Sequence, residues 1–150
     1  MDKDRLSSKE EKVPMIVLGV VLNKKGEVLI IKRRKPEFTT TGKVLLWAFP
    51  GGKQNPEMLN SEQAAIEAVN EILRETGYKV KFLKEIHMRI HPDTFNMIAY
   101  FLCELEEDKP VQEIEEKYEV EEVRWVKPEE LKNYFTTDID PEVKKILNIV

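Results

Sequence analysis

The chain has 150 residues, which is enough for one domain with a sizeable core, and its sequence shows no internal repeat or interdomain linker. Charged residues make up 35% of the chain, above the average of roughly 25% for globular proteins, and this predicts a highly charged surface. The net charge of −4 argues against a protein that coats a nucleic acid polymer, and no apolar segment reaches membrane-spanning length.

The N-terminal residues are polar and have no apolar stretch of the kind found in a signal peptide. We therefore expect residues 1–12 to form a frayed tail and residues 13–150 to form a single domain. Cys103 is the only cysteine, so no disulfide can form within the chain, which fits the reducing cytoplasm. Its place inside an apolar run predicts a buried, inert thiol rather than a nucleophile.

The first third of the chain has β-branched runs separated by turn signals, a pattern typical of strands. Polar residues with a glycine between the first two runs favour a hairpin. The predicted elements are strands Met15–Leu22, Glu27–Arg33 and Val44–Phe49, a turn at Asn23–Gly26 and a polar loop over Lys35–Lys43.

A helix is predicted in the middle of the chain. Asn60 with Gln63 resembles a capping box at its start, and Gly77 suits the position just after its last residue, Thr76. Apolar residues at helical spacing provide a core face, namely Ala65, Val69, Ile72 and Leu73.

The last half of the chain alternates strands with loops and ends in two short helices, each with a proline near its first turn. Strands interspersed with a few helices predict an α/β fold in which helices flank a mixed sheet. The predicted elements are strands Lys79–Ile90, Asn96–Leu105 and Glu121–Val126, an acidic loop over Glu106–Glu119, and helices Pro128–Tyr134 and Pro141–Leu147.

Two glutamates on the central helix point to a metal site. Glu71 and Glu75 are spaced i,i+4, so both project from one face of the helix. Paired carboxylates on a rigid element suit a hard divalent cation such as Mg²⁺. A solvated helix face is the alternative. The preceding Pro50-Gly51-Gly52 turn favours the metal site, because its glycines allow the backbone to approach a ligand closely.

The stretch from Trp47 to Tyr78 resembles the Nudix box. Glu62 takes the place of its first glutamate, Glu71 that of the glutamate after arginine, and Glu75 that of the last glutamate, while Gly77 and Tyr78 close the pattern. The resemblance implies an α/β/α sandwich and a hydrolase that uses Mg²⁺ or Mn²⁺. It also implies that Glu62 supports the box or makes an outer metal contact; favouring the helix dipole is the alternative for this residue.

Three features depart from that pattern. Asn70 stands where the family has arginine, and Arg74 stands where it has glutamate. Nine residues separate Gly52 from Glu62 where the pattern has five, so the loop Lys53–Asn60 is expanded and is predicted to cover the substrate mouth. Three roles for Arg74 stay open: repelling the metal, pairing with Glu71, or contacting substrate phosphate.

The family resemblance also implies a further glutamate from a distant loop, acting as a metal ligand or a base. We predict Glu119 for this role, because it lies just before the strand that bears Trp125, with Glu116 as the next candidate. Basic residues after the second strand could reach a phosphate. The predicted substrate-binding residues are Arg33, Arg34, Gly51, Gly52 and Arg74.

These features predict a Mg²⁺- or Mn²⁺-dependent hydrolase of nucleoside diphosphates linked to another moiety, with small nucleotides such as nucleoside triphosphates favoured. Water would attack a phosphorus of the pyrophosphate link. The alternative is a Nudix-fold nucleotide-binding or regulatory protein whose catalytic centre is impaired by Asn70 and Arg74. The predicted partner is a small nucleotide, with no nucleic acid polymer and no membrane; homodimer formation is left open.

Overall fold

The computed structural model describes residues 15–54 and 61–149. The predicted tail over residues 1–12, the greater part of the expanded loop and the helix cap at Asn60 lie outside these ranges. Seven strands form one sheet: β1 (Met15–Leu22), β2 (Val28–Phe38), β3 (Val44–Ala48), β4 (Gly51–Gln54), β5 (Val80–Ile90), β6 (Met97–Leu105) and β7 (Val120–Val126). The helices are α1 (Ser61–Thr76), a short 3-10 helix (Pro128–Asn133) and α2 (Pro141–Ile146).

The sheet is mixed, as predicted. Strand β1 pairs in parallel with β6 along its whole length, and β5 pairs antiparallel with β6 at one edge. On its other side β1 pairs antiparallel with β4 through its first half and meets β2 only at Leu22 and Val28. Strands β1 and β2 therefore diverge, and β2 pairs with β3 and β7 instead.

Two apolar cores lie on opposite faces of the sheet. Helix α1 packs against one face, where Val17 and Val21 of β1 meet Ala68 and Ile72 of the helix. A Cβ atom on Gly19 would lie 2.4 Å from the Ile72 side chain, so this glycine allows α1 to approach β1 closely. The 3-10 helix and α2 cover the other face through Leu131, Val143 and Leu147. The predicted α/β/α sandwich is confirmed.

The hairpin turn at Asn23–Gly26 is confirmed as well. The Asn23 side-chain oxygen accepts hydrogen bonds from the amides of Lys25 and Glu27, and Gly26 has a φ of +76°. Side-chain bonding of this kind holds the turn, and glycine adopts the left-handed backbone without a steric cost.

Several predicted boundaries were wrong. Strand β2 continues to Phe38 through the start of the predicted polar loop, because β3 pairs with it beyond an irregularity in register. Residues 51–54 form β4, which the sequence did not indicate, because glycines are poor strand formers and the pairing with β1 is decided by tertiary contacts. The predicted helix at Pro128 is a 3-10 helix that ends at Asn133, one residue before the predicted end. Among the described residues no helix is long and apolar enough to span a membrane.

Candidate metal centre and substrate cavity

Three glutamates form a compact group, called here the carboxylate group. Glu71 and Glu75 come from adjacent turns of α1, and Glu116 comes from the acidic loop before β7. One carboxylate oxygen from each lies within 4.8 Å of the others. The i,i+4 spacing therefore places the two helical glutamates together, and the docked loop adds a third.

Glu75 is buried and is held by the backbone at the start of β4. Its Oε1 accepts a hydrogen bond of 2.7 Å from the Gly51 amide. The peptide bond between Pro50 and Gly51 is itself held in place, because the Pro50 carbonyl accepts a hydrogen bond from the Gly19 amide of β1. Burial raises the pKa of Glu75 to about 8, since removing a carboxylate from water disfavours its charged form. The negative charges of neighbouring glutamates add to this rise in pKa, while the Gly51 hydrogen bond opposes it.

Glu116 reaches the group because the acidic loop docks on the C-terminal end of α1. The amides of Glu115 and Glu116 donate to the Arg74 carbonyl at 2.9 and 3.4 Å, and the Val111 amide donates to the Gly77 carbonyl. These bonds satisfy carbonyls that a helix end leaves unpaired. Gly77 has a φ of +79°, and a Cβ there would lie 2.3 Å from the Gln112 carbonyl oxygen, so glycine is required both for the turn and for the docking.

The charge state of Glu116 depends on its neighbours. Burial raises the pKa of Glu116 to about 7, and the close approach of the Glu71 carboxylate acts in the same direction. Its Oε2 atom is buried and has no hydrogen-bond partner among the described residues. A buried acceptor without a donor is costly to the fold and fits a site where a cation supplies the missing partner.

These residues fit Mg²⁺ or Mn²⁺. Both ions prefer hard oxygen ligands, and the carboxylate group offers three. Gly52 leaves room beside them, because a Cβ at that position would lie 3.3 Å from Cγ of Glu71. Glu71, Glu75 and Glu116 are therefore the residues that would hold the cation.

Arg74 also contacts the carboxylate group. Its Nη2 lies 2.6 Å from Oε2 of Glu71, and its Nε lies 3.9 Å from Oε1 of Glu116. The hydrogen bond to Glu71 raises the pKa of the Arg74 guanidinium above its usual value, so the side chain stays charged. Of the three roles left open by the sequence, pairing with Glu71 is the one found in the structure.

A cavity of about 610 Å³ extends from the carboxylate group. Its carboxylate end also includes Gly51, Gly52 and Glu119. The other end, called here the aromatic end, lies between β3, β6 and the segment before α2. It is lined by apolar and aromatic side chains with a few polar groups at the rim, including Leu18, Trp47, Phe49, Asn96, Tyr100, Phe135 and Asp138.

The other predicted site residues lie at different distances from the group. Glu119 is exposed and lines the same cavity, but Glu116, the second candidate, is the residue within ligand distance of the helical pair. Arg33 lines the cavity and forms an ion pair of 3.2 Å with Glu37. Glu62 is exposed in the first turn of α1 and does not belong to the carboxylate group.

Arg34 does not line the cavity and has a different role in the structure. Its side chain donates to the carbonyls of Lys117 and Val120, and its amide donates to the Glu119 carbonyl. It therefore ties the end of the acidic loop to β2. Asn70 is exposed on α1, away from the carboxylate group.

Nothing in the sequence indicated the aromatic end. Asp93 fixes its rim by joining three chain segments: its carboxylate accepts hydrogen bonds from the Thr41 hydroxyl and the Asp138 amide and pairs with Lys43. In the sequence, His91-Pro92-Asp93 lies between the predicted strands Lys79–Ile90 and Asn96–Leu105, and its proline indicates a reversal of the chain but not the partners of Asp93.

The family model described as NUDIX domain matches residues 12–147. A protein of Bacillus subtilis (strain 168) named "Putative 8-oxo-dGTP diphosphatase" is 36% identical over 73 residues. That match covers 49% of this chain and 41% of the relative, so less than half of the relative's length is aligned.

Solved structures share the fold over most of the chain. The MutT protein from Methanosarcina mazei Go1 superimposes with a TM-score of 0.60 at 22% identity, covering 92% of this chain and 93% of that one. A NUDIX hydrolase from Nitrosomonas europaea gives a TM-score of 0.63 at 21% identity, covering 92% of this chain and 72% of that one. At these identities the likeness establishes the fold.

Proposed function

The chain belongs to the Nudix family, and we propose that it is a divalent-cation-dependent hydrolase of small nucleotides. Its substrate is a nucleoside diphosphate linked to another moiety, with a nucleoside triphosphate as the first candidate, and the pyrophosphate link is cleaved by water. The observation that supports this most directly is the placement of the carboxylate group at one end of a cavity large enough for a nucleotide.

The carboxylate group binds the cation in this proposal, through Glu71, Glu75 and Glu116. When bound, the cation neutralises phosphate charge and makes a water molecule more acidic. Gly51 and Gly52 allow the phosphate chain to approach the backbone, because neither carries a side chain next to the group. Arg33 lines the cavity and offers a fixed positive charge to a phosphate.

Glu119 is the proposed base. It lines the cavity near the carboxylate group, and its negative charge contributes to the raised pKa values of both Glu75 and Glu116. Because Glu116 supplies the third carboxylate, Glu119 is left to accept a proton from the attacking water. It is exposed, so a proton taken up there can pass to solvent.

The aromatic end receives the nucleoside or other group in this proposal. Trp47 and Phe135 are half-buried and offer apolar ring surface on which a base can stack. The Bacillus subtilis relative is named for a modified nucleoside triphosphate, which supports testing unmodified and oxidised triphosphates first. A nucleotide substrate also fits the predicted cytoplasmic location.

A binding or regulatory protein without turnover is the second candidate. The short contact between Arg74 and Glu71 favours it, because a guanidinium engages one of the three carboxylates that would hold the cation. Such a protein would bind nucleotide in the same cavity without hydrolysing it.

A release assay separates the two candidates. Nucleoside triphosphates, nucleotide sugars and dinucleoside polyphosphates are incubated with Mg²⁺ or Mn²⁺, and products are separated by ion exchange. We expect metal-dependent cleavage of at least one class and a loss of about 100-fold or more in Glu75→Gln, because removing a ligand to the metal forfeits several kcal/mol of transition-state stabilisation.

The matched control is Glu67→Gln, an exposed glutamate on the same helix outside the cavity, which should retain activity. Nucleotide binding without cleavage in the wild type would establish the second candidate. Equal turnover in Glu75→Gln and the wild type would show that the carboxylate group is not the catalytic centre.

A further inference from the structure

We propose that Arg74 is a built-in counter-cation that takes the place of a second divalent cation, so that the free protein holds one divalent cation at the carboxylate group. The inference rests on the metal-binding part of the proposed function. It concerns Arg74 itself and can be tested by metal binding alone, without any substrate.

The position of Arg74 carries the argument. Its guanidinium contacts Glu71, from α1, and lies near Glu116, from the acidic loop, at 2.6 and 3.9 Å. The Arg74 carbonyl also accepts the loop amides that dock Glu116 on the helix. Backbone and side chain of one residue therefore hold the two carboxylates together, which is what a bridging cation would otherwise do.

The guanidinium charge is permanent, because arginine does not lose its proton in proteins. Glu75, in contrast, receives its short hydrogen bond from the Gly51 amide. The arginine therefore engages the Glu71 and Glu116 side of the carboxylate group.

The charge count sets the number of cations. With all three carboxylates ionised the group carries three negative charges, and Arg74 reduces the sum to two. One divalent cation then balances the site. A second would leave an excess of two positive charges among partly buried groups, where unbalanced charge is costly. Glu119 is exposed and outside the group, so solvent screens its charge and it offsets only a small part of that excess.

Replacing Arg74 by glutamate tests the count directly. Arg74→Glu removes one positive charge and adds a fourth carboxylate next to Glu75 and one turn after Glu71. Bound Mn²⁺ is measured on the full chain without nucleotide, by the loss of the free-ion electron paramagnetic resonance signal on titration. We expect one Mn²⁺ per chain in the wild type and two in Arg74→Glu.

The matched control is Lys145→Glu. Lys145 forms an i,i+3 pair with Glu142 on α2, the same spacing as the pair between Arg74 and Glu71, and it does not line the cavity. The change in net charge is identical, so a non-specific effect of charge would appear in both variants. We expect one Mn²⁺ per chain in Lys145→Glu.

Arg74→Gln gives an independent measurement if the glutamate variant does not fold. Removing the guanidinium should leave a single site and tighten Mn²⁺ binding about tenfold, the size of effect that a neighbouring charge has on an ionic equilibrium. Unchanged or weaker Mn²⁺ binding in this variant would overturn the inference.

Two Mn²⁺ per wild-type chain, or one in a folded Arg74→Glu variant, would also overturn it. A wild type that hydrolyses nucleotides with two bound cations would leave the proposed function standing and remove only the counter-cation role. A wild type that binds one Mn²⁺ and hydrolyses nothing, with two ions in Arg74→Glu, would support the counter-cation role of Arg74 and remove the proposed hydrolase function.

Discussion

At the carboxylate end of the cavity, two of the three glutamates come from adjacent turns of one helix, whereas the aromatic end is assembled from segments far apart in the chain. The first end is rigid because Glu71 and Glu75 share a helical face and Glu75 is bonded to the backbone of β4. The aromatic end depends on Asp93, whose carboxylate binds the two segments that contain Thr41 and Asp138 to its own.

This difference indicates a division of roles. A helix fixes the distance between its side chains, so it suits a cation whose ligands must be held closely. Segments joined through a turn can vary more in position and in sequence, so they suit the part of a site that selects the substrate. The predictions below disturb one end at a time.

The largest effect is expected from the pH dependence of the metal-free protein. Burial raises the pKa of Glu75 from 4.5 to about 8, so the folded state binds a proton that the unfolded state has released. The contribution of Glu75 to the free energy of unfolding is therefore fully present below about pH 4.5 and is lost as pH rises towards 8. The loss is a few kcal/mol, with an upper bound of about 5 kcal/mol from the size of the shift.

Denaturant unfolding between pH 5 and pH 8 with a chelator measures this loss. Glu75→Gln should remove most of the dependence of the free energy of unfolding on pH and leave the smaller contribution of Glu116. Glu67→Gln should keep the full pH dependence. Mn²⁺ should stabilise the wild type most at the high end of the range, where its binding no longer has to displace a proton. A wild-type protein of constant stability over this range would contradict the prediction.

A second, smaller effect concerns the backbone at the carboxylate end. A Cβ on Gly51 would lie 2.0 Å from the Val17 carbonyl oxygen at a φ of +151°. Gly51→Ala must therefore displace β4 from β1 and the Gly51 amide from Glu75. We expect a loss of about 3 kcal/mol in the free energy of unfolding, together with weaker Mn²⁺ binding.

Gly42→Ala is the control for backbone strain alone, since Gly42 has a φ of +84° and no atom within 4 Å of an added Cβ. Its expected loss is about 1–2 kcal/mol with unchanged Mn²⁺ binding. Equal losses in the two variants would mean that the close approach to β1 is not what fixes the carboxylate end.

The smallest effect is expected at the aromatic end. Hydrogen bonds from the Asp138 amide and the Thr41 hydroxyl lower the pKa of Asp93 to about 2. The contribution of ionised Asp93 to the free energy of unfolding is present above about pH 4 and is lost as pH falls towards 2. At neutral pH Asp93→Asn should cost about 1–2 kcal/mol and raise KM for the nucleotide, with Mn²⁺ affinity unchanged.

Asp108→Asn is the matched control, because Asp108 forms an exposed pair with Lys24 outside the cavity. It should alter neither stability nor KM measurably. A weaker Mn²⁺ affinity in Asp93→Asn would show that the two ends are coupled and would remove the proposed division between them.

The central helix could be predicted because its signals are local. Apolar spacing, the two glutamates and Gly77 lie in one continuous stretch, and the regular geometry of a helix converts their spacing into positions. The structure places Glu71 and Glu75 together as that geometry requires. Their role as metal ligands stays a prediction, as does the role of Glu62.

The third carboxylate could not be chosen from the sequence. Glu116 and Glu119 lie in one acidic loop with no regular geometry, and the choice between them depends on which amides meet the Arg74 carbonyl. Strand β4 was missed for a similar reason, because its partner β1 lies more than thirty residues earlier in the chain.

The sequence by itself determined a mixed sheet flanked by helices, the central helix and the shared helical face of Glu71 and Glu75, because periodic patterns and fixed helical geometry act over short distances. The α/β/α sandwich was implied by the resemblance to the Nudix box. The tertiary structure alone decided that Glu116 joins Glu71 and Glu75, that Arg74 also comes near Glu116, and that Trp47, Tyr100 and Phe135 share one cavity. These contacts join residues far apart in the chain, and only the packing of the loops and strands brings them together.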